Sequence, residues 1–255
     1  MASDNSWRKI FKDYKIHKHN FSNSPLVITN KQIKKSCQNF TRTTEKEVRI
    51  LCKQDSREDR PEIFQENNLF ILPIKNGFYA IIEGEGYIDI PEIKTETVVY
   101  QSKLSFSLDT SKVGDSEMQH LDYAYASSLI RSFMQDDTLV LTIRGRKYTP
   151  EFSFRAGKYK HLIETKSVQT EVDAGYEGES KVLLVEAKNC STANVIIRQI
   201  YYPFRQWQRY TNKPVELIFF EKREENYCIW RFVFDTITDY NSIRLVDSVR
   251  YKISD

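Results

Sequence analysis

The chain has 255 residues, 40% hydrophobic and 29% charged, which is long enough and apolar enough for a sizeable buried core. No apolar run approaches the roughly 20 residues needed to span a bilayer, and MASDNSWRKIFKDYK lacks the apolar stretch of a secretory signal. A soluble, cytoplasmic protein with no membrane partner is therefore expected.

Cys37, Cys52, Cys190 and Cys228 lie far apart with no CxxC pair, which excludes a zinc ribbon and suits reduced thiols. His17 and His19 form an HxH without a further ligand nearby. No GxxxxGK[ST] occurs, so the chain is not a P-loop ATPase. The net charge of +3 conceals an asymmetry: residues 1–53 carry twelve Lys/Arg against four Asp/Glu, and the rest of the chain is acidic. A basic block of this kind suits a polyanion contact, although a solvated basic surface gives the same count.

In chain order, Thr29-Asn30 caps a predicted helix over Lys31–Cys37, and Thr43-Thr44 caps a second over Glu45–Lys53. Leu69–Ile74 and Phe78–Ile82 then flank Asn76-Gly77, the sequence of a tight hairpin turn. Short helices and a hairpin on a basic segment resemble a winged helix-turn-helix. That resemblance makes residues 1–95 an α+β DNA-recognition domain, with Lys31, Lys34, Lys35 and Arg42 as its DNA-binding cations. Glu83-Gly84-Glu85-Gly86 and Ile90-Pro91-Glu92 place the junction near residue 95, leaving 96–255 as the second domain.

Beyond the junction a strand is predicted over Leu104–Leu108. A long helix follows over Ser116–Gln135, with Met118, Leu121, Tyr125, Leu129 and Phe133 forming its apolar stripe. Leu139–Arg144 and Tyr148–Phe154 read as strands around a basic turn, Arg144-Gly145-Arg146-Lys147. Ser167–Tyr176 and Lys181–Lys188 read as a strand pair. A helix over Ala193–Tyr210 and strands over Val215–Glu221 and Tyr227–Phe234 complete the series. On the helix, Arg198, Tyr202, Arg205 and Arg209 share one arc, suited either to a phosphate backbone or to plain solvent.

Lys181–Lys188 carries the chemistry. Four apolar residues, Val182 to Val185, describe a strand buried on both faces, and period-two alternation sets Glu186 and Lys188 on one side of its end. Two charges at the end of a buried strand are costly unless paired or functional. Asp173, in the preceding strand, can meet Glu186 across the turn. Two converging carboxylates suit a hard divalent cation that also takes a backbone carbonyl and waters. A solvated strand edge with an ion pair to Asp173 would leave the same pattern.

Asp173, twelve residues, then Glu186-Ala187-Lys188 resembles the (P)D…(D/E)XK signature of the restriction-endonuclease-like nucleases, with Val172 where the family has proline. The resemblance spans about residues 115–235 and implies an α/β fold, a mixed sheet flanked by helices with an αβββαβ core. It implies Asp173, Glu186 and Lys188 as catalytic residues, with Asp173, Glu186 and the Ala187 carbonyl as ligands of Mg²⁺, for which Mn²⁺ substitutes. Glu117 and Glu171 are auxiliary acids by the same analogy or ordinary surface acids, Asp122 lies at the edge of the apolar stripe or is a partly buried acid, and Gln199 stands where related nucleases often carry a polar helper. The expected activity is hydrolysis of double-stranded DNA by a homodimeric type II restriction endonuclease. A structure-specific repair or recombination nuclease and an inactive DNA-binding protein are the alternatives.

Overall fold

The computed structural model describes residues 2–189 and 191–254, so Cys190 lies outside the described residues. The N-terminal unit comprises α1 (Ala2–Asp13), β1 (Leu26–Thr29), α2 (Asn30–Cys37), α3 (Thr43–Lys46), α4 (Val48–Leu51), α5 (Glu62–Glu66), β2 (Leu69–Lys75) and β3 (Phe78–Glu83). Helix α2 starts where its sequence says it should. The Thr29 hydroxyl accepts from Gln32 N at 3.3 Å, and Gln32 Oε1 accepts from Thr29 N at 2.8 Å, closing a capping box. At the Asn76-Gly77 turn Gly77 takes φ +76°, and the strands order antiparallel as β1-β3-β2. Trp7, Ile10 and Phe11 of α1 pack with Ile33, Val48, Leu51, Phe64, Ile71 and Ile81 into a closed core. The helix expected over Glu45–Lys53 is instead two single turns, because Glu47 between them is extended at φ −78°, ψ 114°.

The remaining elements are β4 (Tyr87–Asp89), β5 (Val98–Gln101), α6 (Glu117–Ala126), α7 (Leu129–Met134), β6 (Val140–Tyr148), β7 (Phe152–Ala156) and β8 (His161–Thr165). They continue with β9 (Gln169–Glu177), β10 (Val182–Lys188), β11 (Asn194–Ile196), α8 (Arg198–Trp207), β12 (Val215–Arg223), β13 (Asn226–Phe234) and β14 (Ile243–Ser254). A seven-stranded mixed sheet runs β5-β14-β13-β12-β10-β9-β6, parallel at β10/β12 and β14/β5 and antiparallel elsewhere. Helices cover both faces. Leu183, Val185 and Ala187 face α6 and α7, while Val182 and Leu184 face α8. That two-sided burial is why β10 reads as an unbroken apolar run.

Several expected elements differ. Among the described residues, Leu104–Leu108 forms no strand; the strand lies at Val98–Gln101. The long helix breaks at Ser127–Ser128, where Ser128 is left-handed at φ +68°. Arg144-Gly145-Arg146-Lys147 is not a turn: it lies inside β6, which bulges there, with Gly145 at φ +83°. The first residues of the helix expected from Ala193 are strand β11, paired with β4.

That pairing sews residues 87–89 to the C-terminal sheet. Phe70, Leu72, Ala80 and Ile82 of the N-terminal strands pack in the same core as Phe154, Ile163, Tyr201, Tyr202 and Trp230. Backbone meets backbone at this seam. A Cβ on Gly84, at φ +126°, would lie 2.5 Å from Lys158 N, and one on Gly157, at φ +76°, 2.6 Å from Glu83 O. No described helix is long and apolar enough to cross a membrane.

Candidate active site

Strands β9 and β10 pair only as far as Ala174↔Val185 and then part, while β10 stays paired to β12 through Lys188↔Glu221. Asp173 is the first residue past the fork. Its carboxylate Oδ2 accepts from Ala187 N at 2.7 Å, a bond that β9 backbone would otherwise supply. The strand also turns over here: Val172 joins the α8 core, Ala174 and Tyr176 the α6–α7 core. The fork therefore brings Asp173 beside Glu186-Ala187-Lys188.

Within this group the Lys188 ammonium donates to Glu186 Oε1 at 2.5 Å and to the Ala187 carbonyl at 3.0 Å. The Glu186 side chain is 11% exposed and that of Lys188 23%. Burial pushes the Glu186 carboxyl up to about 7; Lys188 opposes that shift and Asp173 adds to it. Burial also raises Asp173, against the Ala187 N–H and the Lys188 charge. For Lys188 burial works against the charge, but Glu186, Asp173 and Glu117 outweigh it and hold the ammonium above its ordinary range. Two half-desolvated carboxylates thus share one lysine, and both are short of positive charge.

The other sequence candidates fall into three groups. Glu117 lies in the first turn of α6, whose Ser116 cap accepts from Gln119 N at 3.2 Å, and its charge acts on both Glu186 and Lys188. Glu171 is exposed and bound to Arg146 at 3.1 Å, though its charge reaches Asp173. A cavity of about 10 Å³, room for one water, is lined by Glu171, Glu186 and Gln199, and Gln199 Oε1 is buried there without a partner among the described residues. Asp122 pairs with Arg144, whose charge also lowers Asp173. The part played by Arg144 was hidden in the sequence, since a basic run across a bulge looks like a surface turn.

Helix α8 does not present the open arc expected of it. Tyr202 is fully buried and donates to Pro73 O at 2.9 Å. Arg198 reaches Asp55 at 3.5 Å, and Arg205 donates to Ser153 O, Ile237 O and Tyr201 Oη while lying over the Phe152 ring. Arg198 and Tyr202 thus bond to the N-terminal unit, Arg205 bonds within the C-terminal unit, and Arg209 is exposed. Lys31, Lys34, Lys35 and Arg42 are all exposed on the N-terminal unit, away from the fork in sequence and in elements. Of the HxH pair, the His19 ring bonds Ser24 O at 2.8 Å.

A family model described as a domain of unknown function (DUF6997) matches residues 82–252. The chain belongs to the DUF6997 family. The whole fork, from Glu117 to Gln199, falls within the DUF6997 segment. A second model of the same description, DUF6996, matches residues 4–81, so the two family segments meet inside β3. No curated protein and no solved structure matches the chain.

Proposed function

We propose that the chain is a Mg²⁺-dependent endonuclease that hydrolyses phosphodiester bonds in double-stranded DNA, in the manner of a type II restriction enzyme. The observation that carries this reading is Lys188. Its ammonium is bonded at once to Glu186 and to the Ala187 carbonyl, two of the three groups that the (D/E)XK resemblance names as metal ligands. The site already holds a cation, and it is the protein's own. Asp173 and Glu186, both pushed toward protonation by burial, supply hard oxygen donors that a further cation would satisfy. The resemblance gives two carboxylates and a carbonyl as the donor set, and Asp173 Oδ2, Glu186 and the Ala187 carbonyl lie together at the end of β10.

When bound, Mg²⁺ would polarise the scissile phosphate and lower the pKa of an attacking water. The residues of the chain do the rest. Asp173, Glu186 and the Ala187 carbonyl would hold the ion, and Lys188 would set its charge beside the phosphate where negative charge develops. Glu117 adds its field to those of Glu186 and Asp173, which favour the charged form of Lys188. Gln199, buried beside Glu186, can hold the water in the adjoining cavity.

Two features of the fold support the reading. The order α6/α7, β6, β9, β10, α8, β12, with a parallel crossover from β10 to β12, is consistent with an αβββαβ nuclease core carrying β7 and β8 as an insertion. The N-terminal order α1, β1, α2, α3/α4, α5, β2, β3, with sheet order β1-β3-β2, is compatible with a winged helix extended by the short α5. Incubation of the full chain with plasmid and phage DNA in Mg²⁺ tests the proposal. Discrete fragments are expected; cutting of branched DNA alone favours a repair nuclease, and no cutting with either leaves a binding protein.

A further inference from the structure

A second cavity, of about 340 Å³, opens beyond the carboxyl ends of β10 and β12, lined in part by Asn189, Lys222, Arg223, Asn226 and Arg250. Its lining starts at Asn189, one residue after Lys188 in the chain, on the β12 side of β10. Its volume is that of a small-molecule site, for which roughly 300 Å³ is the lower bound, and far too small to admit a duplex. Its charge is basic, three cations against Glu92 and Glu224.

The arrangement of those charges is specific. Glu92 sits between two guanidinium groups, 3.0 Å from Arg223 and 3.9 Å from Arg250, and is itself 66% exposed. Arg223 is fixed from behind by the fully buried Glu221 at 2.6 Å and lies over the Trp230 ring. Arg250 is steadied by Thr95 O at 3.1 Å, and its Nε is buried without a hydrogen-bond partner among the described residues. An exposed, swingable carboxylate therefore occupies the anion position between two anchored arginines, and one guanidinium donor is left over. A phosphate, with more acceptor oxygens, would fill that position more completely. Asn189 and Asn226 add donors and acceptors suited to the sugar and base edges of one nucleotide.

We propose that this cavity binds a nucleoside monophosphate unit, its phosphate between Arg223 and Arg250 in the place taken by Glu92. Taken with the nuclease reading, on which this step rests, the unit is a nucleotide of the cut strand held out of the base stack beside the scissile bond. A free nucleotide is the other source of the same chemistry.

The test uses the full chain without metal, so that cutting plays no part. Binding of each deoxynucleoside monophosphate at about 1 mM is followed by calorimetry. Arg250→Gln should weaken it about ten-fold, the loss of one charge-assisted contact, and Glu92→Gln should strengthen it by removing the competing carboxylate. Ser191→Phe, at an exposed rim position, should abolish it by filling the cavity while every charge remains. A merely structural Glu92 would give no gain on Glu92→Gln. In duplexes carrying 2-aminopurine beside the cut site, a fluorescence rise lost in Ser191→Phe identifies the strand as the source. Unchanged fluorescence with nucleotide binding intact identifies free nucleotide. No binding of any nucleotide, together with no fluorescence change, overturns the proposal, as does binding indifferent to Ser191→Phe. Nucleotide binding without cleavage of any DNA in Mg²⁺ sinks the nuclease reading and leaves the pocket standing.

Discussion

The fork between β9 and β10 makes separable demands on its three side chains. Asp173→Ala, Glu186→Ala and Lys188→Ala should each lower cleavage at least ~10³-fold, the scale of losing a group that contacts the transition state, while filter binding to DNA persists. Lys188→Met should also cost roughly 3 kcal/mol in urea denaturation at pH 8, because it strands Glu186 as a buried charge. At pH 6 the cost should shrink, since Glu186 then takes a proton. The same group sets a pH dependence of its own. Its folded value of about 7 lies above the ordinary 4.5, so the metal-free fold binds the extra proton. Through this group the metal-free protein loses stability as pH rises from about 4.5 to about 7 and changes no further above that. Mg²⁺ affinity runs the other way, rising about ten-fold per pH unit up to 7 and then levelling; calorimetric affinity flat from pH 5.5 to 8 would show that Glu186 is not a ligand. Asp173, Glu186 and Lys188 were legible because strand alternation and a fixed gap are local rules. Arg144 and Gln199 were harder to assign: their contacts depend on a bulge in β6 and on how α8 seats, which no local spacing encodes.

At the scale of elements, α8 shows how an amphipathic pattern misleads. Its arginines and Tyr202 share one arc, and a helix on a free surface would turn that arc outward. Here the N-terminal strands and the β7–β8 hairpin cover it, and the long stems pack while Arg198 bonds Asp55 across the seam and Arg205 bonds Ser153 and Ile237 within its own unit. Arg198→Gln and Arg205→Gln should therefore each destabilise the fold by about 1–2 kcal/mol in urea titration, through lost contacts with Asp55, Ser153 and Ile237. Arg209→Gln should not. A change in the salt dependence of DNA binding with stability intact would return Arg198 and Arg205 to the DNA. The hairpin around Asn76-Gly77, the capped α2 and the buried β10 follow from short-range chemistry, and the sequence predicts them to within a residue or two. Strand β14 was within reach too, since Ile243, Leu245, Val249, Tyr251 and Ile253 keep period two. The three-residue β4 and β11 were not, because each exists only through the other, over a hundred residues away in the chain.

Over the whole molecule, the two units share the core under α8, while each also has a core of its own. A fragment starting near residue 95 would strip Phe70, Leu72, Ala80 and Ile82 from the apolar face of α8 and β7. It should show no cooperative thermal transition, so recognition has to be tested in the intact chain. Replacing Lys31, Lys34 and Lys35 with Gln there should leave the melting temperature unchanged and flatten the slope of log affinity against log salt by up to about 0.9 per lost phosphate contact. An unchanged slope would mean that α2 does not face DNA. The boundary between the two family segments, 81 to 82, falls inside β3, at a strand flanked by the Gly84–Gly157 contact. A chimera joined there inherits half a strand from each parent and must match the backbone contact at Gly84 and Gly157, where a Cβ on either has no room. Exchange of the N-terminal unit as a whole should therefore fail to give a folded chain, whereas point changes on its exposed face should be tolerated.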